Sequence, residues 1–341
     1  MKNNKINNNR INKINKNENK EIVIFLLKII LVLIILISFY YIFISKYTSP
    51  IYITSWISDY LEEKTLIAQN ITDKKIMILS GSNSLYGISS EMIQNQTGID
   101  TINFATSATL RDYIFERAKR VLNKGDIVIM PLEYTYYFGS QEKIAFNTQS
   151  LKYQYIYRRD KEYYENQSIF YKINGRLIGL KDLLFNIKYY NQIPTEGYHL
   201  QFMNKYGDYI ANNYTQNFTP IIIGFPDNFA FFFNNEKFNP YENKDVTDFI
   251  KWTKENDIKL IATYPSILCY DFYFNEPYSS SFKAVEQYYK KNDLDIIGTA
   301  YDFCYYDKNL FYNTDYHLND EGRTIRTQFI IDDLIDILEK D

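Results

Sequence analysis

Residues 22–44 form an almost unbroken apolar run, IVIFLLKIILVLIILISFYYIFI, whose only charge is Lys28. At 1.5 Å per residue the run spans roughly 35 Å as a helix, enough to cross a bilayer with some tilt. Tyr40, Tyr41 and Phe43 sit at one end, where an aromatic belt lies. Lys28 is near the other end and can extend its ammonium toward the headgroups. A cleaved signal peptide has a shorter apolar region and finishes in a small-residue site. This run ends in SKYTSP, so an uncleaved anchor over residues 22–45 is expected. Lys2, Lys5, Arg10, Lys13, Lys16 and Lys20 precede it, against Glu18 and Glu21, giving residues 1–21 a net charge of +4. The positive-inside rule puts this basic tail in the cytoplasm and everything after about residue 46 outside. The Asn- and Lys-rich tail is expected to be disordered. No second run of this length occurs, so the chain reads as single-pass.

The whole chain of 341 residues carries a net charge of −3, so no global basic field draws it to nucleic acid. Tyr (34) and Phe (24) are so frequent that no single aromatic cluster marks a ligand site. Five N-x-S/T sequons, at Asn70, Asn95, Asn166, Asn213 and Asn217, are largely chance in so Asn-rich a sequence. Cys269 and Cys304 are the only cysteines. Outside the cytoplasm they can form a disulfide; two buried free thiols are the alternative. They are too far apart for a C-x-x-C motif, and no Cys/His set has zinc spacing, so no metal is expected. No G-x-G-x-x-G or P-loop occurs, so no cofactor is expected either.

Residues 46–73 read as a juxtamembrane linker with a short amphipathic stretch around Trp56–Ile67. From residue 74 to the C-terminus the pattern turns to α/β. KIMILSG, DTINFA, DIVIMPLEY, TPIIIGF (219–225), IKLIATYP and LDIIGT read as strands. TLRDYIFERAKRVL places Leu110, Ile114, Phe115, Ala118, Val121 and Leu122 on one helix face, ended by a glycine signal at Gly125. VTDFIKWTKEND is a second helix. A third runs from about Asp320 to Leu338, with Ile325, Phe329, Ile330, Leu334 and Ile337 on one face. Strands alternating with helices predict a doubly wound, mostly parallel sheet covered on both sides. Ligands bind such sheets beyond the carboxyl ends of the strands. Residues 138–215, rich in Tyr, Asn and Lys, read as an insertion: a lid over the sheet or a plain elaboration.

The first strand delivers LSGSNSLYG, so Ser80, Gly81, Ser82 and Ser84 crowd a strand-to-helix turn. Such a turn can expose a hydroxyl and present backbone N–H groups. Asn313-Thr314-Asp315-Tyr316-His317-Leu318-Asn319 directly precedes the last helix, and the chain has only two histidines. Ser, Asp and His are the parts of an acyl-transfer triad, in which His takes the Ser proton and Asp fixes the His tautomer. The other reading of His317 is a packing or capping residue. His199, in Gly197-Tyr198-His199-Leu200 with Glu196 three residues back, follows no strand end and reads as structural or surface.

A Ser-bearing turn after the first strand and an Asp-x-His before a terminal helix resemble the SGNH or GDSL-type hydrolases. Ser80-Gly81-Ser82 stands where that family has G-D-S, and Asp315-Tyr316-His317 where it has D-x-x-H. The resemblance implies an SGNH/flavodoxin-like three-layer fold, with Ser82 as nucleophile, Ser84 as the alternative, and Asp315 and His317 as its partners. It puts the oxyanion hole at the backbone of Ser82 and near Ala105, Thr106 and Ser107. Asn103-Phe104-Ala105 lacks the family's second-block Gly. Glu133 occupies the third-block position, where the family has Asn; an ionised Glu cannot donate a hydrogen bond. Asp315 is two residues before His317 rather than three, so Asn313 or a remote acid is the other choice for orienting the imidazole.

One anchor followed by such a domain is similar to bacterial surface acyl-transfer proteins: the D-alanyl transfer protein of teichoic acids and the alginate-type O-acetyltransferases. The implied activity is an acyltransferase or esterase acting on an acyl group, acetyl or similar, of a cell-envelope polysaccharide. The implied partners are the envelope glycan or polymer as acceptor and a membrane acyl-donor protein. The alternative is a catalytically inactive SGNH-like surface protein that binds a glycan or a partner. For an active enzyme, a carboxylate beside the ring is expected to raise the proton affinity of His317 above its ordinary value.

Overall fold

The computed structural model describes residues 2–40, 55–137, 160–173, 199–213 and 239–340. The expected strand at 219–225, most of the 138–215 insertion and the sequon at Asn217 lie outside them. The chain divides into two units, residues 1–49 and 50–341.

The first unit is helix α1 (Lys2–Phe39). Its Glu18–Phe39 stretch has a mean hydropathy of 3.3, long and apolar enough to cross a membrane. The large apolar side chains between Ile22 and Phe39 are exposed. The helix continues back through the basic tail, where disorder was expected. Once the apolar turns are formed, each further residue adds a hydrogen bond without a new nucleation cost.

The second unit opens with α2 (Ser55–Asn70), within the interval read as linker. It buries Ile57, Tyr60, Leu61, Lys64 and Ala68, positions three or four apart on one face. Five parallel strands follow: β1 (Lys75–Ile78), β2 (Asp100–Asn103), β3 (Ile127–Met130), β4 (Lys259–Ala262) and, after the short β5 (Ile267–Leu268), β6 (Asp295–Ile296). The sheet order is β2-β1-β3-β4-β6, with Ile76 opposite Thr101 on one side and Ile127 on the other. The central strands β1 and β3 are buried at every residue, which is why they read as continuous apolar runs. The chain steps outward from β1 to β2, returns past β1 to β3, then moves outward again. The order therefore reverses between β1 and β3, where α/β sheets open a crevice at their carboxyl ends.

Helix α3 (Ser82–Gly87) follows β1, and α4 (Ser90–Thr97) precedes β2. Gly98 closes α4 at φ 70°, its N–H bonded to Gln94 O. The Asp208 carboxylate accepts from Ser90 N and Glu91 N at the other end, where a negative charge complements the helix dipole. Thus residues 199–213, inside the interval read as an insertion, are bonded to the body of the domain.

The helix expected over 109–122 is shorter. Ala108–Leu110 is a separate 3₁₀ turn, Arg111 takes φ 53°, and α5 covers only Asp112–Lys119. A non-glycine residue at positive φ interrupts the helical hydrogen-bond ladder. After α6 (Lys161–Glu165), α7 (Lys244–Glu255) is capped by the Asn243 side chain, and α8 (Tyr278–Lys291) leads into β6. Strand β7 (Cys304–Tyr305) pairs with β5 in a small parallel ladder. An antiparallel hairpin, β8 (Phe311–Thr314) with β9 (His317–Leu318), precedes the terminal helix α9 (Asp320–Leu338). Asn319 caps α9 by accepting from Gly322 N. Gly322 is required there: a Cβ would stand 2.4 Å from Leu310 O.

Cys269 and Cys304 are disulfide-bonded, with Cα atoms 4.8 Å apart and a sequence separation of 35. Closing such a loop stabilises the fold by roughly 3–4 kcal/mol in the chain-entropy account. Replacing both by Ser is expected to lower the unfolding free energy by about that much. Urea titration of the full chain, oxidised and reduced, measures it. Equal midpoints in the two states would contradict the expectation.

Candidate active site

The β1–α3 turn, the loop after β3 and the β8–β9 hairpin converge at the carboxyl ends of β1 and β3. Ser82 Oγ lies 2.9 Å from His317 Nε2. His317 Nδ1 lies 2.9 Å from Asn313 Oδ1. An Asn carbonyl oxygen can only accept, so Nδ1 carries the proton and Nε2 keeps its lone pair for the Ser82 hydroxyl. The hairpin sets this geometry. Thr314 pairs with His317 across a turn made by Asp315 and Tyr316, and Tyr316 N donates to Thr314 Oγ1. Asn313, the strand residue before Thr314, meets the ring at Nδ1.

Asp315, expected to orient the imidazole, has no hydrogen bond to it. Its carboxyl is 1% exposed and its Oδ2 has no hydrogen-bond partner. Burial pushes it up to about 7. Its backbone carbonyl accepts from Leu268 N, and a hydrogen bond from its own backbone opposes the rise. The expected rise at His317 is reversed for the same reason. With a neutral amide in place of a carboxylate, burial dominates and pushes the ring down to about 3. The ring also stacks on Tyr86, centroids 4.3 Å apart, so one face is closed by the buried Tyr86–Tyr209–Tyr312 cluster.

Ser84, the alternative nucleophile, is fully buried and its Oγ has no hydrogen-bond partner. Its carbonyl accepts from Asn103 Nδ2 and Ile88 N. Of the expected oxyanion donors, Ala105 N is taken by Asn103 Oδ1 and Thr106 N points to Ser80 O at 3.4 Å. Ser107 is nearly buried. Within the described residues the Ser82 N–H makes no hydrogen bond. Glu133 is buried against the same turn. It accepts from Gly81 N at 3.0 Å, Asn83 N at 3.1 Å and Ser80 Oγ at 3.1 Å. Burial raises its proton affinity and the hydrogen bonds from these backbone groups oppose the rise.

Several supporting residues carry no motif. Asn83 donates to Ser266 O and Tyr316 O, both at 2.7 Å, tying the Ser82 turn to the hairpin turn. The fully buried Arg326 donates to Asn83 Oδ1 and to Tyr264 O, 2.9 Å each. Asn212 donates to Tyr86 O and Leu318 O. Arg326 had a legible signal: it sits four residues before Ile330 and eight before Leu334, an arginine inside the buried stripe of α9. Ile325, assigned to that stripe, is 45% exposed. Lys64, buried on α2, donates to Ala105 O at 2.5 Å and holds the β2 loop under the site; burial pushes it down to about 7. His199 is exposed; its ring lies against Phe202 and its carbonyl accepts from the Tyr60 hydroxyl. Among the described residues no group of three or more His, Cys, Asp or Glu side chains is placed to hold a metal ion.

No protein-family model matches this chain, and no curated protein matches it.

Proposed function

We propose that the chain is an SGNH-type acyltransferase or esterase, anchored by α1 with its catalytic unit outside the cytoplasm. The observation that carries this reading is the Ser82–His317–Asn313 relay, with both links at 2.9 Å, at the reversal of the strand order. The order β2-β1-β3-β4-β6 suits a three-layer fold of that kind. The +4 tail before the apolar helix and the disulfide favour the extracytoplasmic assignment. The acceptor on this reading is a hydroxyl of a cell-envelope glycan or polymer, or water, and a membrane protein delivers the acyl group.

The chemistry follows from the atoms in place. Ser82 Oγ attacks the acyl carbonyl carbon while its proton passes to His317 Nε2. The carbonyl oxygen becomes an oxyanion and takes the hydrogen bond of the Ser82 N–H. The bond to the leaving alcohol breaks, and that oxygen receives the proton from Nε2. An acceptor hydroxyl then repeats the sequence in reverse on the acyl-enzyme. An Asn in the orienting position is compatible with this cycle, since Cys-His-Asn relays use one.

The test is mass spectrometry of the full chain in detergent micelles after treatment with a fluorophosphonate. One adduct on Ser82, absent from Ser82→Ala and retained by Ser84→Ala, is the expected result. No adduct, or one that survives Ser82→Ala, would sink the reading and favour a binding protein.

The pH profile is a second expectation. The working base is neutral His317, and a lowered proton affinity keeps it neutral well below pH 6.5. Hydrolysis of p-nitrophenyl acetate should therefore hold its rate from pH 8 down to about 5, where an unperturbed His would already have lost most activity. Asn313→Asp should move the acid limb upward, because a carboxylate stabilises the imidazolium. A limb near 6.5 in the unaltered protein, or one unmoved by Asn313→Asp, would contradict the assignment.

A further inference from the structure

In the turn that carries Ser82, nearly every backbone amide has an acceptor. Gly81 N and Asn83 N donate to the two oxygens of Glu133, at 3.0 and 3.1 Å. Ser84 N and Leu85 N donate to Gly81 O at 3.2 and 3.3 Å. The Ser82 N–H, between the two amides held by Glu133, makes no hydrogen bond among the described residues. Two neighbouring amides fixed by one rigid carboxylate leave the peptide plane between them little freedom to turn. Gly81 makes this possible. A Cβ there would stand 2.4 Å from Glu133 Oε1 and 2.4 Å from Ala108 N, so a side chain at 81 and the carboxylate exclude each other. The single proton of the Ser80 hydroxyl is shared between Pro131 O at 2.7 Å and Glu133 Oε2 at 3.1 Å.

We propose that Glu133 is the positioning residue of the oxyanion hole: by holding the amides on both sides, it aims the Ser82 N–H at the substrate oxygen. The inference rests on the reading of Ser82 as nucleophile. Glu133 touches no reacting atom. Its role is to preset a donor that otherwise would have to turn into place as charge develops, and preset dipoles are what such sites depend on. A carboxylate near a developing oxyanion also has a cost, since like charges repel. The hydrogen bonds from Gly81 N and Asn83 N spread its charge, and the buried guanidiniums of Arg111 and Arg326 act on it electrostatically.

Glu133→Gln is the decisive variant. Gln keeps one acceptor oxygen but turns an NH₂ toward the second amide, so either Gly81 N or Asn83 N loses its partner. For p-nitrophenyl acetate hydrolysis by the full chain in micelles, kcat should fall about 10²–10³-fold, the range for loss of one oxyanion donor, with KM within about threefold of the unaltered protein. The outcomes separate cleanly. If Ser82→Ala keeps its activity, the proposed reaction itself falls. If Ser82→Ala is inactive but Glu133→Gln keeps kcat within threefold, the role of Glu133 falls. A rise in KM alone would also overturn it. A measurement on the unaltered protein covers a Gln variant that does not fold: residue-resolved hydrogen exchange before and after phosphonylation. Protection should be present at Gly81 and Asn83 throughout and be gained at Ser82 in the adduct, whose phosphoryl oxygen occupies the hole. Exchange at Ser82 that is unchanged by the adduct overturns the proposal.

Discussion

Ser82→Ala is expected to lower ester hydrolysis about 10⁴-fold or more while leaving the unfolding midpoint within a degree or two. His317→Ala should lower it by a similar factor. The two changes together should cost little more than either alone. On the proposed reading Ser82 and His317 work as a unit through one 2.9 Å contact, and removing either member removes the activated nucleophile. Residual activity reflects the donor at Ser82 N and substrate binding alone. Both side chains are only half-buried, so truncating them opens no large cavity. Initial rates on p-nitrophenyl acetate, with thermal melts of the same samples, decide the matter. A single variant retaining a tenth of the activity, or effects that multiply in the double variant, would remove the pair from the mechanism.

The largest effect on stability is expected far from that site, at the amino ends of β1 and β3. Lys75 Nζ lies 2.7 Å from Asp126 Oδ2, with the two side chains 0% and 1% exposed. The same carboxylate accepts from Lys75 N at 3.0 Å and Asn123 N at 2.7 Å. Asp126→Ala strands a buried ammonium and two amides at once. Breaking a buried pair from one side costs about 3–5 kcal/mol, a large share of the 5–15 kcal/mol that holds a typical domain together. Lys75→Met should cost less, because it removes the charge that needs a partner and leaves the carboxylate its two amide donors. Urea unfolding of the three proteins measures this. A loss under about 1 kcal/mol for Asp126→Ala, or a larger one for Lys75→Met, would show that the pair does not bear on stability in this way.

Which parts of this were legible in the sequence follows from what each part is made of. β1 and β3 are buried on both faces, so their residues are apolar without a break and stand out. Helix α8 carries no comparable signal, because Ser279, Ser281, Tyr288 and Tyr289 fill much of its buried face beside Phe282 and Val285. Hydroxyl-bearing residues read as polar even where they pack. The β8–β9 hairpin is too short to give an alternation, yet it alone decides that Asn313 faces the imidazole and Asp315 does not. Spacing counts residues along the chain, whereas a hairpin turn decides which of them share a side. Gly81 and Glu133 each read as a departure from the G-D-S and third-block patterns. In space they are one feature, since the carboxylate occupies the room that a side chain at 81 would need.

The hairpin turn also sets a balance of protons. Asp315 is pushed up to about 7 and His317 down to about 3, both by burial. An unfolded Asp titrates near 3.9 and an unfolded His near 6.5. Folding therefore takes up a proton at residue 315 between about pH 4 and 7, and stability from that group is present below this window and lost as pH rises through it. At residue 317 folding releases a proton between about pH 3 and 6.5, and stability is lost as pH falls. Over the shared range the two slopes have opposite sign, so proton uptake at residue 315 and proton release at residue 317 oppose each other. Removing one member exposes the other. Relative to the unaltered protein, Asp315→Asn should gain stability as pH rises from 4 to 6.5, by at most about 1.4 kcal/mol per pH unit. His317→Gln should lose stability over the same range, by less, because water screens a half-buried ring. Parallel stability–pH curves for the three proteins would contradict this. A hairpin in which the two titrations oppose each other loses less stability to a change of pH than either group alone would cause.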